Sequence, residues 1–134
     1  MKIANIAVQT FRYRSNTVRD SEGHGHPGPE HDATQSLVAI AAEDGASGYC
    51  FGNLPKGPLE NAVKPAVLGK DPFYREKIWH ELKERQRLNL ATLPDRILTA
   101  VDMALWDLAG RALGQPVHKL LGATRDKAPA YAST

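Results

Sequence analysis

Apolar residues recur along this chain in two different periods, and the change from one to the other divides it. Between Lys2 and Arg14, Ile3, Ile6, Val8 and Phe11 stand among polar and small residues in a near two-residue rhythm. β-branched and aromatic residues in that rhythm predict a strand. A second strand is expected from Ser36 to Glu43, carried by Leu37, Val38 and Ile40, and a third from Ser47 to Phe51. Asp44-Gly45 between them is a hairpin-turn dipeptide. The first half therefore reads as a three-stranded antiparallel meander. Two stretches have no apolar rhythm. Ser15 to Asp32 is rich in Gly, Pro and His and reads as a long irregular loop, and Gly52 to Gly57 reads as a shorter one.

The second half has a helical period. Leu59, Ala62, Val63, Ala66 and Val67 share one helical face, with Pro65 expected to kink or restart the helix. Asp71-Pro72 supplies an N-cap and a first-turn proline for a helix from Phe73 to Leu88. In that helix Tyr74, Ile78, Trp79 and Leu82 are expected to be buried, and Glu81 and Arg85 to pair at i,i+4. Pro94 to Leu113 is apolar almost all round, which predicts a helix covered on several sides; Gly114 caps it and Pro116 stops it. A short helix, Val117 to Leu121, ends at Gly122, and Ala128 to Thr134 reads again as a strand. The fold class is α+β, a meander followed by a helical bundle.

With 134 residues, 42% hydrophobic and 24% charged, the chain suffices for one globular domain. A net charge of +2 gives no electrostatic reason for a nucleic-acid or membrane partner. Its apolar runs are far shorter than the ~20 residues of a membrane span. The first residues read as a strand rather than an export signal, and Cys50 is the sole cysteine, so the expected compartment is the cytoplasm.

One stretch carries a specific family signal. From Thr99 to Gly122 the residues Asp102, Ala104, Leu105, Asp107, Gly110, Arg111, Pro116, Val117, Leu120, Leu121 and Gly122 stand in one ungapped register. They resemble the signature of the mandelate racemase/muconate lactonizing enzymes of the enolase superfamily. Arg125-Asp126-Lys127 and Ala130-Tyr131-Ala132-Ser133 continue the likeness into the family's first barrel strand. Ile97 and Thr99 depart from it, since the family usually has small residues there. The resemblance implies an N-terminal capping domain over residues 1–122 and a linker with the start of a barrel strand over 123–134. In the family, the capping domain closes over the mouth of a (β/α) barrel that holds the chemistry: proton abstraction next to a carboxylate, with magnesium and a lysine or histidine base. A barrel takes ~200 residues or more, so it and its metal ligands are expected to lie outside this sequence. No catalytic residue and no metal ligand is then assigned to this chain, which alone is expected to be inactive and free of cofactor.

The loop His24-Gly-His-Pro-Gly-Pro-Glu-His31 offers imidazoles for a metal, yet no rigid element fixes their geometry. The resemblance places this loop over the barrel mouth, where His24 and His26 become candidate substrate contacts; a merely solvated loop is the alternative. Phe51, Asn53 and Lys56, at and after the third strand, are the matching candidates on the second loop. Alternation puts Cys50 on the face opposite Tyr49 and Phe51. Asp102 and Asp107 sit in an apolar helix and need partners, Arg111 being the obvious one for Asp107. His80 and His118 read as solvated.

The parent enzyme is accordingly expected to be a lyase or isomerase acting on a carboxylate, and a polar, histidine-bearing loop leans toward a sugar-acid dehydratase. Expected partners are a sugar-acid substrate, the barrel domain and further copies in a homo-oligomer. A non-enzymatic binding or assembly module, or a subunit completed by a separate barrel chain, stays open as the alternative.

Overall fold

The computed structural model describes residues 1–88 and 93–130. Three strands, β1 (Ile3–Arg19), β2 (Gly25–Ala42) and β3 (Ser47–Gly52), form an antiparallel sheet in the order β1-β2-β3. The helical part follows: α1 (Lys56–Pro58), a π-helical turn (Leu59–Val63), α2 (Lys64–Val67), α3 (Arg75–Leu88), α4 (Asp95–Leu113) and α5 (Val117–Leu120). The α+β meander-then-helices architecture is the one expected.

The pleat decides which sheet face is covered. Ile6, Val38 and Ile40 point inward with the fully buried helix residues Leu59, Val63, Ile78, Leu82, Ile97, Leu105 and Leu108. Each such side chain removed from water stabilises the fold by roughly 1.5–3 kcal/mol. Gly48 in β3 lets α4 come into backbone contact with the sheet, because a Cβ there would stand 2.0 Å from the Ala104 carbonyl oxygen. The opposite face carries Phe11, Tyr13, Tyr49 and Phe51, all exposed.

The Asp44-Gly45 turn forms as expected. Gly45 has φ +90° and the Asp44 carboxylate accepts the Ala46 N–H at 3.2 Å. The Ser15–Asp32 loop does not. There the strands continue: β1 runs to Arg19 and β2 starts at Gly25, with a register shift between Ser15 and Thr17. Arg14 bridges Asp32 at 2.8 Å and Glu30 at 3.1 Å across the ladder. The tip is a short turn in which one Asp20 carboxylate oxygen accepts the Glu22 and His24 N–H groups, both at 2.9 Å. This two-stranded arm reaches beyond β3 and needs no core, so its sequence shows no apolar rhythm. Pro27 and Pro29 are tolerated because β2 pairs with β3 only from Ser36 to Ala41 and is an edge strand before that.

Pro65 restarts the helix. Its ring lacks an N–H, and the preceding turn widens to a π form in which the Lys64 N–H reaches the Leu59 carbonyl. Asp71 does cap, accepting the Phe73 N–H at 3.0 Å, but it caps a turn that precedes α3, which begins at Arg75 rather than Phe73. Tyr74 is exposed rather than buried: although it keeps the four-residue spacing of Ile78, Leu82 and Gln86, it stands in the turn before α3, where only its carbonyl joins the helix, accepting the Ile78 N–H at 3.0 Å. Trp79 is half-buried. Glu81 pairs with Lys70 rather than Arg85. The Leu68–Asp71 link is pinned to β1 by the Ile3 N–H to Lys70 carbonyl bond at 2.8 Å, which holds Lys70 over α3.

Helix α4 ends at Gly114 in the left-handed conformation (φ 61°), with the Gln115 N–H closing onto the Gly110 carbonyl at 2.9 Å. It is less enclosed than its composition suggests, since Met103 and Leu113 are exposed. Residues 128–130 form no strand, and the rest of the expected Ala128–Thr134 strand lies outside the described residues. No helix among the described residues is long and apolar enough to cross a membrane.

Candidate functional site at the free end of the sheet

Two elements leave the sheet at the same level. Ser36 in β2 pairs with Thr10 in β1 and Gly52 in β3. Beyond this row β1 and β2 continue as the arm, while β3 gives way to residues 53–57, a short loop that enters α1 at Lys56. The candidate residues divide between them. His24 and His26 are at the arm tip; Phe51, Asn53 and Lys56 lie at the arm's base and on the loop. Val18, opposite His26, is eight residues from Thr10, opposite Ser36, so about 26 Å separates the two groups along the ladder. The fold does not bring all five together within this chain.

At the tip, the Asp20 carboxylate oxygen that is not used in the turn meets both imidazoles, His26 Nε2 at 2.8 Å and His24 Nδ1 at 3.4 Å. The His26 hydrogen bond and the backbone N–H groups of His24 and Glu22 hold the Asp20 carboxyl below its ordinary range. The imidazoles are thus fixed by a turn, although the sequence suggested no rigid support. At the base, Phe51 lies 6.5 Å from Phe11, ring centre to ring centre, across Leu37. Lys56 makes an exposed i,i+4 pair with Glu60 at 3.4 Å, and Asn53 is exposed. Leu54 between them is buried, with its carbonyl accepting the Ser36 hydroxyl at 3.1 Å. This anchor is not legible in the sequence, since a serine in a strand pattern carries no mark of its partner.

The acidic residues of α4 are already engaged. Asp107 accepts from Arg111 at 2.8 Å and from the Tyr49 backbone N–H at 2.9 Å, which ties α4 to β3. Asp102 accepts from Arg75 at 2.7 Å, and that guanidinium stacks 4.0 Å from the Trp106 ring centre. Among the described residues no group of three or more His, Cys, Asp or Glu is arranged to hold a metal ion. Magnesium wants a converging, near-octahedral set of oxygens, and the described residues present no such set. Cys50, whose thiol is pushed up by burial, packs against the core on the face opposite Tyr49 and Phe51.

Residues 26–122 match the mandelate racemase / muconate lactonizing enzyme, N-terminal domain. The chain belongs to that family. A crystal structure of D-glucarate dehydratase from Agrobacterium tumefaciens, complexed with magnesium, superposes with a TM-score of 0.87 at 43% identity, covering 94% of this chain and 34% of that one. A D-galactonate dehydratase family member of Musicola paradisiaca is 36% identical over 80 residues, 59% of this chain and 19% of its own length. The D-galactarolactone cycloisomerase of Agrobacterium fabrum is 29% identical over 99% of this chain and 35% of its own length. The chain thus spans between a fifth and about a third of the relatives it matches.

Proposed function

We propose that this chain is the substrate-capping domain of a sugar-acid dehydratase, with residues 1–122 as the domain and 123–134 as the lead into a barrel. The observation that carries this reading is the 43% identity and 0.87 TM-score to a D-glucarate dehydratase over nearly the whole chain. The layout supports it. An arm and a loop leave one end of the sheet together, and they present imidazole, amide, ammonium and aromatic groups suited to the hydroxyls and carboxylate of a sugar acid. In this reading the chain contributes recognition and exclusion of water, and the barrel contributes the proton transfer. Phe51, Asn53 and Lys56 close over the substrate from the base of the arm, while His24 and His26, too far along the arm to touch that same molecule, reach a substrate held by another copy in the homo-oligomer. Magnesium, when bound in the parent enzyme, stabilises charge developing on the substrate carboxylate, and its ligands come from the barrel. The parent is a homo-oligomer of the cytoplasm.

A domain graft tests this. Residues 1–130 of this chain replace the corresponding part of the D-glucarate dehydratase, and 2-keto acid formation is followed with magnesium and a panel of aldarates and aldonates. Turnover of at least one sugar acid is the expected result. A folded, magnesium-binding graft that turns over none of them overturns the reading.

A further inference from the structure

Ser36 is one of two buried polar residues among those described, the other being Gln86. A buried hydroxyl needs partners, and Ser36 finds them outside its own strand. It donates to the Leu54 carbonyl at 3.1 Å, and the Thr10 hydroxyl lies 3.4 Å from its oxygen. Because the Ser36 proton is committed to Leu54, Thr10 is the donor to Ser36. The result is a directed chain from Thr10 O–H to Ser36 O–H to the Leu54 carbonyl. It crosses all three strands' worth of structure at the row where the arm and the loop diverge. Leu54 is held from a second side as well. Its side chain is buried and lies over Gly52, where a Cβ would meet Leu54 Cγ at 3.3 Å. On the sheet's other face Phe11 and Phe51 repeat the connection with aromatic rings.

We propose that Ser36 is a positioning residue that fixes the loop 53–57 and, through Thr10, couples it to the base of the arm, so that the two elements move as one. Its importance for recognition rests on the capping role given above, but the coupling itself does not. If arm and loop are joined at the base, a ligand that orders one lowers the entropy cost of ordering the other.

The test is made on the 134-residue chain by NMR, with Ser36→Ala, Thr10→Val and the double variant. Ser36→Ala should shift the Leu54 carbonyl 13C resonance and lower the order parameters of Asn53, Leu54, Lys56 and Gly57. It should also speed amide exchange in the Thr10–Gln35 part of the ladder by about tenfold, the worth of one hydrogen bond. Thr10→Val, which does not touch Leu54, should loosen the same loop to a smaller extent and add nothing in the Ser36→Ala background. Should Ser36→Ala not fold, Thr10→Val alone decides the matter. A Leu54 resonance and loop order unchanged by Thr10→Val overturn the coupling, as does additivity of the two substitutions. None of these readouts involves a substrate, so failure here is distinct from failure of the capping role.

Discussion

Gly48 and Ala104 meet backbone to backbone: a Cβ built on the glycine would stand 2.0 Å from the Ala104 carbonyl oxygen and 2.3 Å from the Leu108 nitrogen. Neither atom can move without unwinding α4 or bending β3. Gly48→Ala should therefore cost about 3 kcal/mol, at the upper end for overpacking, and lower Tm by roughly 10 °C for a chain of this size. Gly57→Ala, where nothing lies within 4 Å, is the control and should leave Tm nearly unchanged. Equal melting of both variants would show that the close approach is not what Gly48 provides.

Arg75 and Asp102 form a part-buried pair, their side chains 19% and 27% exposed, with the guanidinium also stacked on Trp106. A double-mutant cycle between Arg75→Met and Asp102→Asn should return a coupling of about 1–2 kcal/mol, between the values usual for exposed and for fully buried pairs. Urea unfolding measures it. A coupling indistinguishable from zero would make this a surface contact in energetic terms.

The arm tip should be sensitive to acid. The Asp20 carboxyl is held below its ordinary value, chiefly by His26. A group with a depressed folded-state pKa contributes stability that is present above its unfolded value, about 3.9, and is lost as pH falls through the folded value. Cross-strand contacts between Arg19 and Gly25 should therefore fade below about pH 3.9 while those of the core persist. Asp20→Ala should remove them at neutral pH. A tip unchanged by either treatment would contradict the role given to Asp20.

His24→Ala with His26→Ala should leave Tm almost untouched, because both imidazoles are exposed and touch only the Asp20–Glu22 turn. In an enzyme carrying this domain with its barrel, the same pair of substitutions should raise KM or lower kcat/KM. Parallel loss of stability and activity would make the histidines structural. No kinetic effect would remove them from the site.

The outer sheet face bears Phe11, Tyr13 and Phe51 without a covering element among the described residues, and Tyr49 with only the Arg111 guanidinium over its ring. The chain by itself should self-associate, visible by light scattering as a concentration-dependent rise in mass, and Phe51→Ser should weaken that rise. A monomer unaffected by concentration would contradict it.

What the sequence discloses follows from what its periodicity encodes. Residues such as Val38, Ile40, Leu59, Val63, Leu105 and Leu108 were legible as core because burial imposes a period of 2.0 or 3.6. The Gly114 cap and the Asp44-Gly45 turn were legible because positive φ selects those residue types. The arm was not. Its strands are solvated on both faces, so nothing imposes alternation, and its glycines and prolines look like loop residues. The exposure of Tyr74 is not legible either, because it keeps the helical spacing of Ile78 and Leu82 while Asp71 caps a turn that ends before α3 begins. At the candidate site the residue types of His24, His26, Phe51, Asn53 and Lys56 could be named, but not their separation into two groups or the Ser36–Leu54 anchor. Those depend on which residues the register sets side by side.

Pro27 and Pro29 have one more consequence. The arm is a bare two-stranded ribbon, the kind of structure on which further strands readily stack. A proline nitrogen has no hydrogen to offer an incoming strand, and two of them within three residues leave β2 a broken template along the stretch that β3 does not cover. Self-association through the aromatic face would then yield packed copies rather than a continuous sheet. A chain with Pro27→Val and Pro29→Val would hold a longer unbroken edge and drift toward fibres. The prolines that disguise the arm as a loop in the sequence are what keep it solitary in the folded protein.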